Sequence, residues 1–209
     1  MNAIYSLDRA AAILSDAAGR VFDARSRQWR AGVGGGSGEC VDARGAVAWV
    51  QRESGAPIRV PVGVIGPREA NTAQLAAAEG VGAGLAAMGL AVVCGGRQGV
   101  MEATCRGAAR SGGLTIGILP DADPAFANPF VGVVLATGIG EARNALIARA
   151  SFCLIAIGDS YGTLSEVAFG RQFGKLVVGL EGAAAVDGVV QVDGVGAALD
   201  AVAAFALGR

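Results

Sequence analysis

From Val60 onward the chain repeats one unit: a short, almost wholly apolar run, a turn containing glycine, and a stretch long enough for a helix. The runs are Val60–Ile65, Leu90–Cys94, Leu114–Leu119, Val131–Ala136, Phe152–Ile157 and Leu176–Leu180, with a last one near Val189–Val192. A strand that is apolar at every position is buried on both faces, and such strands belong to parallel sheets covered by helices on each side. The segments between them place helices at Thr72–Met88, Val100–Ser111, Glu141–Ala150 and Leu164–Phe173, and an Ala-rich helix at Gly196–Leu207. This pattern predicts an α/β, Rossmann-like doubly wound parallel sheet over residues 59–209.

Residues 1–58 read as a separate N-terminal extension. Ala11–Leu14 and Val21–Ala24 flank Asp16-Ala-Ala-Gly19, a hairpin turn. Arg25, Arg27, Trp29 and Arg30 form a basic-aromatic cluster that suits a solvated strand or an oligomer contact better than nucleic acid. Gly32–Gly38 reads as a flexible linker, and Asp42 as the N-cap of a short helix through Val47, Trp49 and Val50.

Composition narrows the chemistry. With 53% hydrophobic residues the chain has enough apolar surface to fold. Its 34 glycines in 209 residues far exceed the usual share of about 7%, yet follow no triplet period. The longest apolar stretches, Leu85–Cys94 and Ala197–Leu207, fall short of the roughly 20 residues that span a bilayer. Asp8 and Arg9 interrupt the start before any signal peptide is readable, so the expected compartment is the cytoplasm. Net charge is −1, and Lys175 is the only lysine among 17 basic residues, which argues against a nucleic-acid surface. There is no histidine, so His bases, His-activated nucleophiles and His metal ligands are excluded. Cys40, Cys94, Cys105 and Cys153 form no C-x-x-C pair and read as free buried thiols; no metal site is expected.

In a doubly wound sheet, ligands sit at the carboxyl ends of the strands. Four loops lie there. Gly66-Pro67-Arg68-Glu69 could let backbone approach a ligand at a helix start, or be an ordinary turn. Gly95-Gly96-Arg97-Gln98-Gly99-Val100-Met101-Glu102 could form a nest of N–H groups for phosphate, with Arg97 adding a contact. It is neither a dinucleotide fingerprint nor a Walker loop. Thr137–Asn144 brings Arg143 and Asn144 to a helix start, where Arg143 either meets a phosphate or pairs with Glu141 or another carboxylate. Gly158-Asp159-Ser160-Tyr161-Gly162-Thr163-Leu164-Ser165-Glu166 allows Glu166 to face a bound sugar, or to fold back onto Thr163 as a capping box.

Gly95–Glu102, Gly138–Asn144 and Tyr161–Glu166, in that order, resemble the motifs of the SLOG superfamily of Rossmann-fold proteins. That superfamily holds the Lonely Guy phosphoribohydrolases, once called lysine decarboxylase-like, and DprA. The branch most resembled is that of the molybdenum cofactor carrier protein, over roughly Val60–Leu180. The resemblance implies that Gly95, Gly96 and Gly99 before Val100-Met101 are the glycine-rich loop. It also makes Arg143 and Glu166 the catalytic pair, if the chain is a hydrolase. It places Asn144 where Lonely Guy enzymes have Lys, and Asp159 and Ser160 where they have two phosphate-loop glycines. Each replacement adds a Cβ near the proposed phosphate, and Asp159 adds a charge.

The function so implied is binding of a phosphorylated small molecule, a nucleotide or the pterin-based molybdenum cofactor, with no cofactor required. The alternative is a nucleoside-monophosphate phosphoribohydrolase in which Arg143 holds phosphate and Glu166 stabilises the sugar or activates water. A third reading is a scaffold that keeps only the fold. The resemblance implies homodimers or homotetramers, and Ala-rich helices such as Thr72–Met88 offer flat surfaces that suit helix pairing or core packing equally.

Overall fold

The computed structural model describes residues 4–32 and 38–209, so most of the expected Gly32–Gly38 linker lies outside the described residues. The chain divides into two units, Met1–Ile58 with Asp200–Arg209, and Arg59–Leu199. The last ten residues, grouped with the sheet domain on sequence, therefore belong with the N-terminal unit. The reason is local: Trp29 Nε1 donates to Leu207 O at 2.7 Å, Arg44 pairs with Asp200 at 2.7 Å, and Arg209 pairs with Asp16 at 2.6 Å.

The first unit is an antiparallel sheet where a hairpin was expected. Its strands are β1 (Ile4–Asp8), β2 (Ile13–Ser15), β3 (Val21–Asp23), β4 (Gln28–Arg30) and β5 (Glu39–Asp42), in the order β4-β3-β2-β1-β5. The Asp16–Gly19 turn closes as expected, with Asp16 Oδ1 accepting from Ala18 and Arg20 N–H and Gly19 at φ +75°. Trp29 stacks on Tyr5 at 5.4 Å and lies under Arg209 at 4.7 Å. The aromatic member of the basic cluster is thus committed inside the unit rather than offered to a base. Asp42 caps helix α1 (Ala43–Arg52), accepting from Gly45 N–H at 2.7 Å.

The second unit is the α/β sheet. Strands β6 (Val62–Ile65), β7 (Val92–Cys94), β8 (Thr115–Leu119), β9 (Val133–Ala136), β10 (Leu154–Ile157), β11 (Val177–Leu180) and β12 (Val190–Gln191) pair in parallel throughout. Their order is β12-β11-β10-β6-β7-β8-β9. Every residue of β6, β7, β10 and β11 is buried, as unbroken apolar runs require. β9 differs: Val133 and Leu135 are exposed because it is an edge strand.

The order runs β6-β7-β8-β9 to one side of β6 and β10-β11-β12 to the other. The direction reverses between β6 and β10, and a crevice opens at their carboxyl ends. Helices α2 (Thr72–Ala87), α3 (Val100–Arg110), α4 (Asn144–Ala150), α5 (Tyr161–Gln172) and α6 (Val195–Ala206) complete the chain. The small-residue face of α2 is used within the chain. A Cβ at Gly82 would stand 2.1 Å from Thr104 O, and one at Gly107 would stand 2.0 Å from Glu79 O, so these glycines set the close approach of α2 and α3. The expected Glu141–Ala150 helix is instead a 3-10 turn, Gly140–Arg143, followed by α4. Among the described residues no helix is long and apolar enough to cross a membrane.

Candidate functional site

At the crevice between β6 and β10 lies a cavity of about 540 Å³. Gly66, Pro67 and Arg68 reach it from the end of β6, Gly95 and Met101 from the loop after β7, and Arg143 and Asn144 from the turn before α4. Asp159, Ser160, Gly162, Thr163 and Glu166 reach it from the end of β10 and the first turns of α5. Ile65, Glu69 and Glu141 line it too, and were not singled out as ligand contacts from the sequence. Glu69 and Glu141 flank loop residues that were, so proximity in the chain was the available signal.

Gly96, Arg97, Gly99, Val100 and Tyr161 do not line the cavity. Arg97 pairs with Asp121 and lies over Phe126 at 5.3 Å, so its guanidinium is held away from the crevice. Gly99 serves a close approach: at φ +71° its missing Cβ would stand 2.2 Å from Arg68 O and 2.5 Å from Pro67 O. Val100 N–H donates to Pro67 O at 3.1 Å, and Gly96 N–H donates to Cys94 Sγ at 3.3 Å. Two amides of the expected nest are therefore engaged within the protein. Tyr161 is 95% exposed at the start of α5.

Arg143 and Glu166 meet at the centre. Arg143 Nη1 donates to Glu166 Oε1 at 3.2 Å, and both side chains are buried. The expected local pairing of Arg143 with a carboxylate is met by Glu166 rather than Glu141. Nη1 also donates to Asn144 Oδ1, and Asn144 Nδ2 donates in turn to Ser165 Oγ at 2.9 Å. Asn144 thus orients the guanidinium. Arg143 Nε is buried with no hydrogen-bond partner. A buried unsatisfied donor on a cation is costly unless something else completes it. Gly95 makes the room for this arrangement, since a Cβ there would stand 2.6 Å from Arg143 Nη2 and 2.7 Å from Met101 Sδ.

The capping-box alternative for Glu166 does not hold. The N-cap of α5 is Ser160, whose Oγ accepts from Thr163 N–H at 3.1 Å, so the helix begins one turn earlier than the pattern implied. This frees Glu166 to face inward. Burial pushes its carboxyl up to about 8, against the opposing pull of Arg143, with Cys94 and Glu141 adding to the rise. Glu166 accordingly holds its proton at neutral pH, which suits a proton donor better than an anionic stabiliser.

Beneath the site, Cys94 Sγ and Cys105 Sγ lie 3.5 Å apart, both buried, and Cys153 is buried elsewhere, whereas Cys40 is exposed rather than buried as expected. Among the described residues no group of three or more Cys, Asp or Glu side chains is arranged to hold a metal ion.

An uncharacterized protein from Archaeoglobus fulgidus is 38% identical over 128 residues, 61% of this chain and 84% of that protein. The molybdenum cofactor binding protein of the phototrophic bacterium Rippkaea orientalis matches with a TM-score of 0.67 at 31% identity, over 71% of this chain and 98% of that one. The molybdenum cofactor carrier protein of Chlamydomonas reinhardtii matches with a TM-score of 0.66 at 32% identity, over 72% and 100%. The profile of the SLOG cluster4 family matches residues 59–201, which spans the sheet and every residue of the cavity. The chain therefore belongs to the SLOG cluster4 family.

Proposed function

We propose that the cavity binds a small phosphorylated ligand, a pterin of the molybdenum cofactor type or a nucleotide. The observation that carries this reading is the buried Arg143, whose Nε has no protein partner at the switch point of the sheet. An anionic oxygen at Nε would complete it with a charge-assisted hydrogen bond. Solved relatives named for binding and carrying the molybdenum cofactor support the pterin form of the reading. The volume of about 540 Å³ lies within the range of small-molecule sites. The test is calorimetry of the purified protein with molybdenum cofactor, a pterin and nucleoside monophosphates, beside Arg143→Gln. Binding that weakens in the variant supports the reading, and no binding of any of these ligands overturns it.

A second reading is favoured by one observation, the buried carboxyl of Glu166, beside Arg143 and pushed up by burial to about 8. In a nucleoside-monophosphate hydrolase, Arg143 would hold the phosphate, Glu166 would donate a proton to the base as its N-glycosidic bond breaks, and water would add to the anomeric carbon and release its own proton to solvent. Incubation with AMP and related nucleotides, with free base followed by chromatography, tests it. Release that vanishes in Glu166→Gln supports hydrolysis, and absence of release in the parent protein rejects it.

A further inference from the structure

Two amides at the start of α5 that could greet an anion at this crevice are already engaged. Thr163 N–H is taken by Ser160 Oγ at 3.1 Å. Ser160 N–H, at the start of α5, is taken by Asp159 Oδ1 at 2.8 Å. Among these acceptors Asp159 alone is a carboxylate, and it lines the cavity. A carboxylate at a helix N-terminus is stabilised there by the exposed N–H groups. For the same reason it occupies the place of any other anion and repels one arriving nearby.

The charges around the cavity point the same way. Three carboxylates line it, from Glu69, Glu141 and Asp159, beside the proton-bearing Glu166 and against the guanidinium groups of Arg68 and Arg143. Arg143 is the buried one, and its Nε is unpartnered. Attraction for an anion is therefore concentrated at Arg143, while the α5 side presents a carboxylate.

We infer that Asp159 is a specificity-determining residue: its carboxylate closes the start of α5 to phosphate. The cavity then takes ligands that bring one anionic group to Arg143 and turn N–H donors toward Asp159. A heterocycle with an amino-amide edge and a single phosphate meets this demand, and a di- or triphosphate does not. The inference rests on reading the cavity as a ligand site.

The experiment compares the parent protein with Asp159→Asn, Asp159→Gly and Glu69→Gln. The probes are guanosine 5′-monophosphate, guanosine as its phosphate-free match, and inorganic phosphate. The readouts are calorimetric affinity and thermal stabilisation. Asn removes the charge but can still accept from the Ser160 amide, whereas Gly removes both. The preference for the monophosphate over guanosine is expected to rise about tenfold in Asp159→Asn and at least as much in Asp159→Gly. Inorganic phosphate should raise the melting temperature of Asp159→Gly more than that of the parent. An unchanged preference in both Asp159 variants, or an equal rise in Glu69→Gln, overturns the assignment. If no organic probe binds yet inorganic phosphate stabilises Asp159→Gly more than the parent, the Asp159 inference stands and the reading of the cavity as a ligand site falls.

Discussion

The Arg143 guanidinium donates to the Glu166 carboxyl, 3.2 Å between Nη1 and Oε1, across the crevice where the sheet reverses direction. They come from segments 23 residues apart, the turn before α4 and the second turn of α5. Arg143 is the only group among the leading causes that works against the rise in the Glu166 pKa. Replacing Arg143 with Gln should push Glu166 higher still and weaken binding of an anionic ligand by about 100-fold, as loss of a charge-assisted contact predicts. Calorimetry on the parent and the variant measures the affinity, and an unchanged value would remove Arg143 from the site.

Glu166 also ties stability to pH. In the folded protein its carboxyl titrates at about 8, above the ordinary value of 4.5. The folded state therefore binds more protons than the unfolded chain across that window, and stability falls as pH rises through it. Glu166→Gln, neutral at every pH, should flatten this fall by the order of a few kcal/mol. Denaturant unfolding followed by circular dichroism at the two ends of the window reads the difference. Parallel pH profiles for the two proteins would mean that Glu166 does not titrate there.

Gly95→Ala separates binding from stability. The new Cβ would meet Met101 Sδ, a flexible end that can move, and Arg143 Nη2, which is fixed through Asn144 and Glu166. Arg143 should be displaced, costing about tenfold in affinity. The melting temperature should change little. A variant that binds as well as the parent would show that the position of Arg143 tolerates the shift.

The N-terminal unit has its own acid limit. Burial works to raise the Asp16 carboxyl, but hydrogen bonds from Arg20 and Arg209 hold it down to about 2, below the ordinary 3.8. Its contribution is therefore present above about pH 4 and is lost as pH falls through 2. Asp16→Asn should cost the unit about 2 kcal/mol at neutral pH. Both tryptophans, Trp29 and Trp49, lie in this unit, so tryptophan emission during unfolding reports on it alone. An unshifted emission transition in the variant would discount the Asp16 contacts.

Much of this protein was legible in its residues. Apolar runs without alternation specified the buried parallel strands β6, β7, β10 and β11, because a strand covered on both faces has no position for a polar side chain. The glycine loops and Arg143, Asn144, Thr163 and Glu166 could be placed at strand ends from order alone. Tertiary structure decided what those groups do. It turned Arg97 toward Asp121, since a partner that far along the chain is invisible to local pattern. It made Ser160 rather than Thr163 the cap of α5, and so released Glu166 into the crevice. It joined Asp200–Arg209 to the first unit, through a tryptophan N–H and an ion pair that span most of the chain. Periodicity and turn chemistry act over a few residues and can be read from the sequence. Partner choice for long polar side chains, and the protonation that burial imposes on Glu166, depend on which distant groups exclude water, and only the folded chain determines that.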